Sequence, residues 1–310
     1  MAGTENIRIS FAENSGIKVE GINFSQNGDR EFIMVDGQDI VFLTLGSTGA
    51  GTSVGSNYSP PVPLPSARNT LGTPDGGWSL WPSIFFSSLL STPHISELGN
   101  PMSFHSRISQ SSLLWFTVTL DDPVFFKLFE KLTSNAPGRG GLTTIQDSSW
   151  LLSIVVPHQP YFLNQPDSIQ IFWGYALSPE KAGDIVRKPM VECTGQEIFT
   201  ELLGLLNFPE DPIRGNSIVV PCMMPYVTSP LLSRRYEDRP KVIPKGSSNL
   251  ALLGEFVEIP RDGVFALEYS VRSAQMAVFK MMEVQKEPMD IHKWDRNIKT
   301  MVQTLKALLL

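Results

Sequence analysis

Residues 249–272 read NLALLGEFVEIPRDGVFALEYSVR, and the interpretation of the whole chain starts from this stretch. The apolar run at 250–253 predicts a short strand, the Gly, Pro and Asp residues behind it predict a loop, and the apolar spacing from 265 to 282 predicts a helix. A helix that begins directly after a strand presents unpaired N–H groups and a partial positive charge to a cofactor at the end of the sheet. The stretch therefore predicts one half of a cofactor site. The glycine fingerprint that forms the other half is not found upstream in this sequence.

Four carboxylates surround this strand, loop and helix: Glu255, Glu258, Asp262 and Glu268. Asp262 precedes the predicted helix, and Asp is a preferred N-cap residue because its side chain accepts a hydrogen bond from the first turn. The N-cap interpretation of Asp262 and a catalytic role for it both stay open at this point.

The composition is that of a globular protein, with 42% hydrophobic and 18% charged residues among 310. A net charge of −6 without a dense Lys/Arg run argues against a nucleic-acid partner. The two cysteines, Cys193 and Cys222, form no C-x-x-C pair, which argues against a disulfide framework or a thiolate zinc site. No signal peptide and no apolar run of about 18 residues is found. We therefore expect a soluble cytoplasmic protein that meets a membrane at most peripherally.

The pattern of the chain predicts a mixed α/β protein that opens with a strand meander instead of a strand, glycine turn and helix. A loop rich in Gly, Ser and Pro is expected from 46 to 82, and Trp173 and Tyr175 are expected in the core. The run at 221–226 is interpreted as an apolar turn that lines a lipid pocket or fills a gap in the core. Strands are predicted at 7–11, 17–24, 32–35, 39–45, 116–120, 151–156 and 169–175, and helices at 123–132, 194–206, 265–282 and 294–309, the second opened by a Thr194/Glu197 capping box.

Two motifs overlap in the loop at 46–55. Gly49-Ala50-Gly51 resembles the start of a dinucleotide turn, but its third glycine is one residue late and prolines follow in place of a helix. Residues 51–55 match G-x-S-x-G, the nucleophile elbow, which requires a strand leading in and a helix leading out. We expect a glycine-rich loop whose backbone approaches a ligand, and a serine hydrolase that uses Ser53 is the alternative.

The remaining candidates are the histidines and the last helix. His94, His105, His158 and His292 show no metal-ligand spacing, so they are predicted to be surface or loop residues and no metal site is expected. The last helix is amphipathic and basic, which is typical of a helix on a membrane surface or against a partner; packing on its own domain is the alternative. Its apolar stripe is Ile298, Met301, Val302, Leu305 and Leu309, and its cations are Lys293, Arg296, Lys299 and Lys306.

Several short segments are spread along the chain: LGNP at 98–101, FTVT at 116–119, DSSWL at 147–151, NQP at 164–166, KPM at 188–190 with CTG at 193–195, VPCMMPY at 220–226 and EYSVR at 268–272. Together they resemble the oleate hydratase family, flavin-dependent fatty-acid hydratases also called myosin-cross-reactive antigens. They occur in the family's order and with family-like spacing.

The resemblance implies an incomplete, Rossmann-like flavin-binding domain interrupted by a substrate domain, with C-terminal helices. Residues 1–57 and 244–283 would belong to the flavin domain, 58–243 to the fatty-acid domain and 284–310 to an amphipathic helix. The implied activity is that of an FAD-dependent lyase, which adds water across a cis double bond of an unsaturated fatty acid to give a hydroxy fatty acid. The implied FAD contacts are Ser47, Gly254, Glu255, Phe256, Asp262, Phe265 and Ser270, and the implied substrate contacts are Val155, Pro157, His158, Tyr161, Met223 and Tyr226.

The sequence also departs from the family pattern. The family's glycine fingerprint, catalytic glutamate and catalytic tyrosine have no counterpart in these residues. Its carboxylate-binding Thr-x-Asn-x-x-x-His is replaced by Val155, Pro157 and Tyr161, and a Thr-Thr pair at the helix start is replaced by Ala266 and Leu267. We therefore expect little FAD binding and no hydratase turnover by this truncated chain alone. A non-catalytic lipid-binding or membrane-associating relative is the alternative. The expected partners are an unsaturated fatty acid, a membrane surface that contacts the last helix, and a second copy in a homodimer.

Overall fold

A computed structural model describes residues 2–12, 16–27, 29–62, 77–89, 95–264, 267–291 and 298–308. The strands are β1 Ala2–Ala12, β2 Gly16–Gln26, β3 Asp29–Met34, β4 Val41–Thr44, β5 Ser53–Val54, β6 Leu113–Leu120, β7 Thr143–Thr144, β8 Leu152–Val155, β9 Gln170–Ala176, β10 Ser217–Met224 and β11 Leu250–Leu253. The α-helices are α1 Gly77–Leu89, α2 Met102–His105, α3 Ile108–Ser111, α4 Val124–Thr133, α5 Gly195–Leu205, α6 Leu267–Met281 and α7 Ile298–Leu308. Short 3-10 helices lie at Ile95–Leu98, Met190–Glu192, Ser229–Leu231 and Tyr236–Asp238.

The chain divides into two compact units, each built from separated segments. The first unit comprises Met1–Gly46, Leu80–Pro101 and Arg235–Leu310, and the second comprises Ser47–Ser79 and Met102–Arg234. The predicted assignment of one part to flavin and the other to fatty acid stays a prediction.

The first unit contains an antiparallel sheet in the order β1-β2-β3 and a parallel pair, β4 with β11. The buried amide of Asn249 joins the two by mimicking a strand: its Oδ1 accepts from Val19 N–H at 2.8 Å and its Nδ2 donates to Val19 O at 2.9 Å. The meander predicted from the sequence is confirmed. The mixed α/β class is also confirmed, but parallel pairing of the described strands is limited to β4 and β11, so a Rossmann-like sheet stays a prediction.

The second unit is built on an antiparallel sheet in the order β5-β10-β6-β9-β8-β7. One face carries Phe116, Val118 and Phe172 into a buried core, which α4 and α5 cover. Phe125 of α4 stacks on Phe172 with ring centroids 4.4 Å apart. The capping box of α5 forms as predicted: Thr194 accepts from the Glu197 N–H and Glu197 accepts from the Thr194 N–H. The core of this unit therefore lies on one face of the sheet.

The opposite face of this sheet carries half-buried aromatic side chains. Trp115 of β6 stacks on Trp173 of β9 at 4.4 Å, and Tyr175 lies 5.8 Å from Trp115. The core prediction for Trp173 and Tyr175 is therefore wrong, because alternation along β9 places Phe172 in the core and its neighbours on the other face.

Two proline-containing segments differ from the prediction. Residues 77–82, expected to be loop, form the start of α1, with Pro82 inside the helix. Trp78, Trp81 and Ile84 lie at helical spacing and are almost fully buried, so burial of this stripe outweighs the cost of the proline. The strand β10 likewise includes Pro221, where a turn was expected.

Pro221 is tolerated in β10 because of the direction in which its missing N–H would point. Its carbonyl accepts from Gly55 N–H at 2.8 Å, on the side of β5. The amide and carbonyl of one strand residue point to the same neighbour, and β5 ends at Val54. The side of Pro221 that lacks an N–H therefore faces the chain beyond the end of β5, so no hydrogen bond within that strand pair is lost.

Glu201 of α5 is a buried carboxylate with a structural role. It is 0% exposed and accepts hydrogen bonds from Asp184 N–H at 2.6 Å, Ile185 N–H at 2.9 Å and Val186 N–H at 2.8 Å. Three backbone donors of one loop thus converge on a single side chain, which fixes that loop on the helix.

Replacing Glu201 with Ala is expected to lower the free energy of unfolding by about 3–5 kcal/mol, because it leaves three backbone donors without their acceptor. The measurement is a urea titration followed by circular dichroism. Glu130→Ala, at an exposed position of α4, is the matched control and should shift stability by less than about 0.5 kcal/mol. Equal stability of the two variants would contradict the assignment.

Candidate functional site

The carboxyl ends of β4 and β11 form the candidate cofactor edge of the first unit. Because the strands run parallel, both ends lie at the same edge, where Leu45 N–H donates to Leu253 O at 3.1 Å. A glycine with positive φ follows each strand, Gly46 at 59° and Gly254 at 98°. Neither turn carries a side chain, and both glycines are buried by their neighbours, so this edge is a candidate from its topology.

The loop that leaves Gly254 is fastened to α6 by the EYSVR segment and by Ser273, which follows it. Gly254 N–H donates to Ser273 Oγ at 3.0 Å, and Ser273 Oγ donates to Ser270 O at 2.7 Å. Tyr269 is buried; its hydroxyl donates to Val257 O at 2.7 Å and accepts from Ile259 N–H at 2.9 Å. Burial raises the pKa of Tyr269 above its ordinary value. The segment thus fixes the loop that follows β11.

Asp262 pairs with α6 through a salt bridge. Its Oδ2 accepts from Arg272 Nε at 2.9 Å, its Oδ1 accepts from Gly263 N–H at 2.8 Å, and Arg272 also donates to Met289 O. Asp262 lies five residues before Leu267, the first described residue of α6. The described contacts therefore give Asp262 the role of an anchor between loop and helix.

The other predicted cofactor residues are placed differently. Phe256 is fully buried and packs on Trp81 with ring centroids 6.0 Å apart, so its ring belongs to the core of the unit. Glu255 is half-buried. Ser47 belongs to the second unit, where its carbonyl accepts from Trp78 Nε1 at 2.8 Å. Phe265 lies outside the described residues. The FAD contacts inferred from the resemblance stay predictions.

Four predicted substrate residues follow one another at the end of β8. Val155 is half-buried and pairs with Trp173 on the aromatic face of the sheet. Pro157 is half-buried, and His158 and Tyr161 are exposed. His158 packs closely against the 134–141 loop: a Cβ added to Gly138 would lie 2.7 Å from the Cβ of His158. The structure thus brings these four residues together in one segment with an accessible hydroxyl and imidazole.

Met223 and Tyr226 are not brought into that segment. Met223 lies in the core on the face of the sheet opposite to Val155, and three strand spacings, roughly 14 Å, separate β10 from β8. Tyr226 is 5% exposed and packs between His105 and Trp78, with ring centroids 5.6 and 4.8 Å away. The 221–226 segment was expected either to line a lipid pocket or to fill a gap in the core. The described geometry favours the core over a pocket shared with Val155.

His105 is a polar group that the sequence interpretation missed. It was expected at the surface, but it is 3% exposed and stacks on Tyr226 with the ring planes 16° apart. Desolvation by burial lowers the pKa of His105, so the neutral imidazole is favoured. Its Nδ1 has no hydrogen-bond partner among the described residues. No spacing in the sequence indicates this burial. The prediction for His158 is confirmed, and His94 and His292 lie outside the described residues.

Ser53 does not lie in a nucleophile elbow. It belongs to β5, pairs with Met223 of β10, and its Oγ donates to Val62 O at 2.8 Å. An elbow requires a sharp turn from a strand into a helix, and residues 55–62 after β5 contain no helix. The hydrolase alternative therefore has no structural support.

Metal-binding and membrane-spanning elements were also sought in the described part of the chain. No three His, Cys, Asp or Glu side chains there are grouped so that they could hold a metal ion. No helix in those ranges combines the length and the hydropathy needed to cross a membrane.

The KPM and CTG segments form a structural corner around a buried thiol. Lys188 Nζ lies 2.7 Å from Glu197 Oε1, and the other oxygen of Glu197 accepts from Thr194 N–H at 2.8 Å. Cys193 is fully buried, and desolvation raises its pKa to about 12. Burial also raises the pKa of the half-buried Cys222. Neither thiol has the depressed pKa of a nucleophile.

Comparison with known proteins identifies the family of the chain. A match to the MCRA family covers residues 2–279. The chain is 35% identical over 289 residues to an oleate hydratase of Streptococcus pyogenes serotype M49 (strain NZ131), covering 88% of this chain and 46% of that protein. It is 31% identical over 311 residues to a linoleate hydratase of Lactiplantibacillus plantarum, covering 93% and 52%.

The chain therefore belongs to the MCRA family, as the resembling segments predicted. It spans about half the length of the curated relatives it matches.

Replacing Gly254 with Ala is expected to lower stability by about 1–3 kcal/mol, because φ is 98° and the new Cβ would lie 3.2 Å from Thr44 Cγ2. Gly263→Ala is the matched control, since a Cβ there meets nothing within 4 Å. Urea unfolding of both variants is the measurement. A Gly254→Ala protein as stable as the control would show that the strand end does not need glycine.

At pH 8 in native protein, Cys193 is expected to react with iodoacetamide roughly a thousandfold or more slowly than an ordinary thiol. A pKa of about 12 leaves almost no thiolate, whereas an ordinary thiol is about one quarter ionised. Peptide mapping after timed alkylation measures the rate, and the same protein in urea provides the control. Rapid alkylation of Cys193 in the native state would contradict the buried, neutral thiol.

Proposed function

We propose that this chain carries the fatty-acid part and a portion of the flavin part of an oleate hydratase-like enzyme. The observation that supports this most is the match to the MCRA family over residues 2–279, with 35% identity to an oleate hydratase. The proposed substrate is an unsaturated fatty acid. The proposed reaction joins a proton to one carbon of a cis double bond and the oxygen of water to the other, and the second proton of the water is released.

The 155–161 segment is the proposed contact for the fatty-acid head. Tyr161 is 52% exposed, so its hydroxyl is available to donate a hydrogen bond to a carboxylate, and the exposed imidazole of His158 lies in the same segment. Val155 and Pro157 offer apolar surface where the family usually has Thr and Asn. The head would thus be held by a phenol and an imidazole.

FAD is the cofactor on which the family depends, and the residues of this chain fit it only in part. The part that fits is the strand edge itself, where β4 and β11 are each followed by a glycine with positive φ and no side chain stands at the two turns. The turn that would hold a pyrophosphate has no counterpart in the sequence. We therefore derive no chemical step through the flavin from these residues.

We also propose that these residues alone do not hydrate the fatty acid. Hydration needs an acid that protonates the alkene and a base that orients water, and the family's glutamate and tyrosine for these roles have no counterpart here. The residues present would bind and orient the acid without performing the proton transfer.

The test incubates the purified chain with FAD and oleic acid and measures both hydroxy acid by mass spectrometry and oleate binding by titration. We expect no hydroxy acid, but oleate binding that Tyr161→Phe weakens roughly tenfold, because it removes one hydrogen bond to a charged group. Tyr236→Phe, with a similarly exposed phenol at 56%, should leave the Kd unchanged.

The outcomes separate the parts of the proposal. Hydroxy acid formed by this chain alone would contradict the absence of turnover. An unchanged Kd for Tyr161→Phe would contradict the proposed head contact.

A non-catalytic membrane-associating relative is the second candidate, and the exposure of α7 favours it. Ile298, Met301 and Leu305 are 78%, 54% and 60% exposed on one stripe, beside the exposed Lys299 and Lys306. A basic amphipathic helix of this kind binds anionic membranes. Flotation with anionic liposomes by a protein that retains neither FAD nor oleate would favour this candidate.

A further inference from the structure

The loop between β8 and β9 presents three apolar side chains in succession to solvent. Tyr161, Phe162 and Leu163, here called the 161–163 tip, are 52%, 58% and 103% exposed. Single exposed apolar residues are ordinary on protein surfaces, whereas a contiguous group marks an interaction site. The tip is not part of a helix or strand, so neither a helical stripe nor strand alternation accounts for its exposure.

The side chain of Gln165 holds the tip in shape from inside the loop. Its Oε1 accepts from Tyr161 N–H at 2.9 Å and from Phe162 N–H at 3.3 Å. Its Nε2 donates to Gln159 Oε1 at 2.8 Å and to Ile169 O at 2.7 Å. Gln165 N–H also donates to Phe162 O at 3.1 Å. The N–H groups of Tyr161 and Phe162 and the carbonyl of Phe162 are thus bonded within the loop.

A second amide connects this framework to the sheet. Gln159 Nε2 donates to Ile171 O at 2.8 Å and to Pro157 O at 3.1 Å, and Gln159 Oε1 accepts from Ile171 N–H at 3.1 Å. Ile171 belongs to β9, so the loop is fastened to a central strand. The apolar tip is therefore carried on a fixed support.

This internal bonding suits an environment without water. In hydrocarbon, each unpaired backbone N–H or C=O costs several kcal/mol, so a segment that enters it must satisfy its polar groups internally. In an ordinary surface loop, water satisfies the backbone N–H and C=O groups, so no such set of internal hydrogen bonds is needed. The tip combines exposed apolar side chains with internal bonds to the N–H groups of Tyr161 and Phe162, which lowers the cost of insertion.

The charges around the loop agree with this environment. Residues 159–166 contain no Asp, Glu, Lys or Arg, and the nearest charged residue after the tip, Asp167, lies four positions beyond Leu163, so shallow insertion of the tip itself desolvates no ionised group of that type. Tyrosine favours the interface between head groups and hydrocarbon, and phenylalanine and leucine favour the hydrocarbon below it. The order of side chains matches a shallow insertion.

We propose that the 161–163 tip inserts into the interfacial layer of a phospholipid bilayer. A protein partner fits less well, because a specific protein interface buries about 800 Å² on each side and three side chains on one loop offer well under that area. The proposal does not rest on the proposed function, since membrane insertion needs neither flavin nor turnover.

The tip is distinguishable from α7 by its lack of charge. Binding through Lys299 and Lys306 of α7 would need anionic lipids and would weaken as salt rises. Insertion of an uncharged tip should occur on zwitterionic phosphatidylcholine and should be nearly independent of salt.

The first experiment measures partitioning of the full chain onto phosphatidylcholine vesicles at 0.1 and 0.5 M NaCl by sedimentation. The double variant Phe162→Glu, Leu163→Glu should partition at least tenfold more weakly than the parent, because two side chains that enter the bilayer become charged. Leu177→Glu is the matched control: Leu177 is 57% exposed and follows the opposite end of β9. This control should partition like the parent at both salt concentrations.

Two results would overturn the proposal. One is equal partitioning of the double variant and the parent. The other is binding that requires anionic lipid and is lost in 0.5 M NaCl, which would assign the membrane contact to charged residues.

A second experiment stays informative if the charged variant does not fold. Leu163→Cys in a Cys222→Ser background is labelled with an environment-sensitive fluorophore, since the buried Cys193 should not react. The emission should shift to shorter wavelength when phosphatidylcholine vesicles are added. Leu177→Cys, labelled in the same background, should show no shift. An unshifted spectrum at position 163 would overturn the proposal.

Discussion

The first unit depends on one long-range pairing, the parallel alignment of Val41–Thr44 with Leu250–Leu253. The amide of Asn249 strengthens it by bonding to Val19, a residue 230 positions away in the sequence. Closing so large a loop costs conformational entropy that no local preference offsets. The pairing must therefore be stabilised by burial of apolar side chains. Leu250, Ala251 and Leu252 are at most 1% exposed, as expected of a strand that is buried on both faces. The pairing also places Gly46 and Gly254 at one edge, so the candidate cofactor edge exists only because the chain closes there.

Sequence patterns predicted the parts of this fold that local physics determines. The Thr194/Glu197 box opens α5, and the apolar spacing after Pro123 gives α4, because both signals act within one helical turn. Pro82 and Pro221 misled the prediction, since each lies inside a regular element whose stability comes from distant contacts. His105 was misplaced for the same reason: nothing local indicates that its ring packs against those of Trp78 and Tyr226.

Many of the residues that carry the family resemblance support the fold. Tyr269 bonds the loop after β11, Thr194 and Lys188 organise the start of α5, and Ser149 donates to the Asp184 carboxylate at 2.6 Å. The resemblance predicts that the positions where the family usually binds a carboxylate differ here, at Val155, Pro157 and Tyr161. Residues that hold buried loops are constrained by many neighbours, whereas side chains at the edge of a sheet are constrained mainly by what they bind. A strong family match is therefore compatible with altered head-group chemistry.

The 156–169 loop links the two proposals because one framework supports both. Gln165 bonds to the N–H groups of Tyr161 and Phe162, and Gln159 bonds to Gln165, so the two amides support the backbone from which the tip projects. A fatty acid in a bilayer keeps its carboxylate at the interface and its tail in the hydrocarbon. A tip inserted to interfacial depth would therefore hold the Tyr161 hydroxyl at the level of the carboxylate, without the acid first crossing water. The polar interior of this loop thus supports both the backbone of the tip and the depth at which a head group would be met.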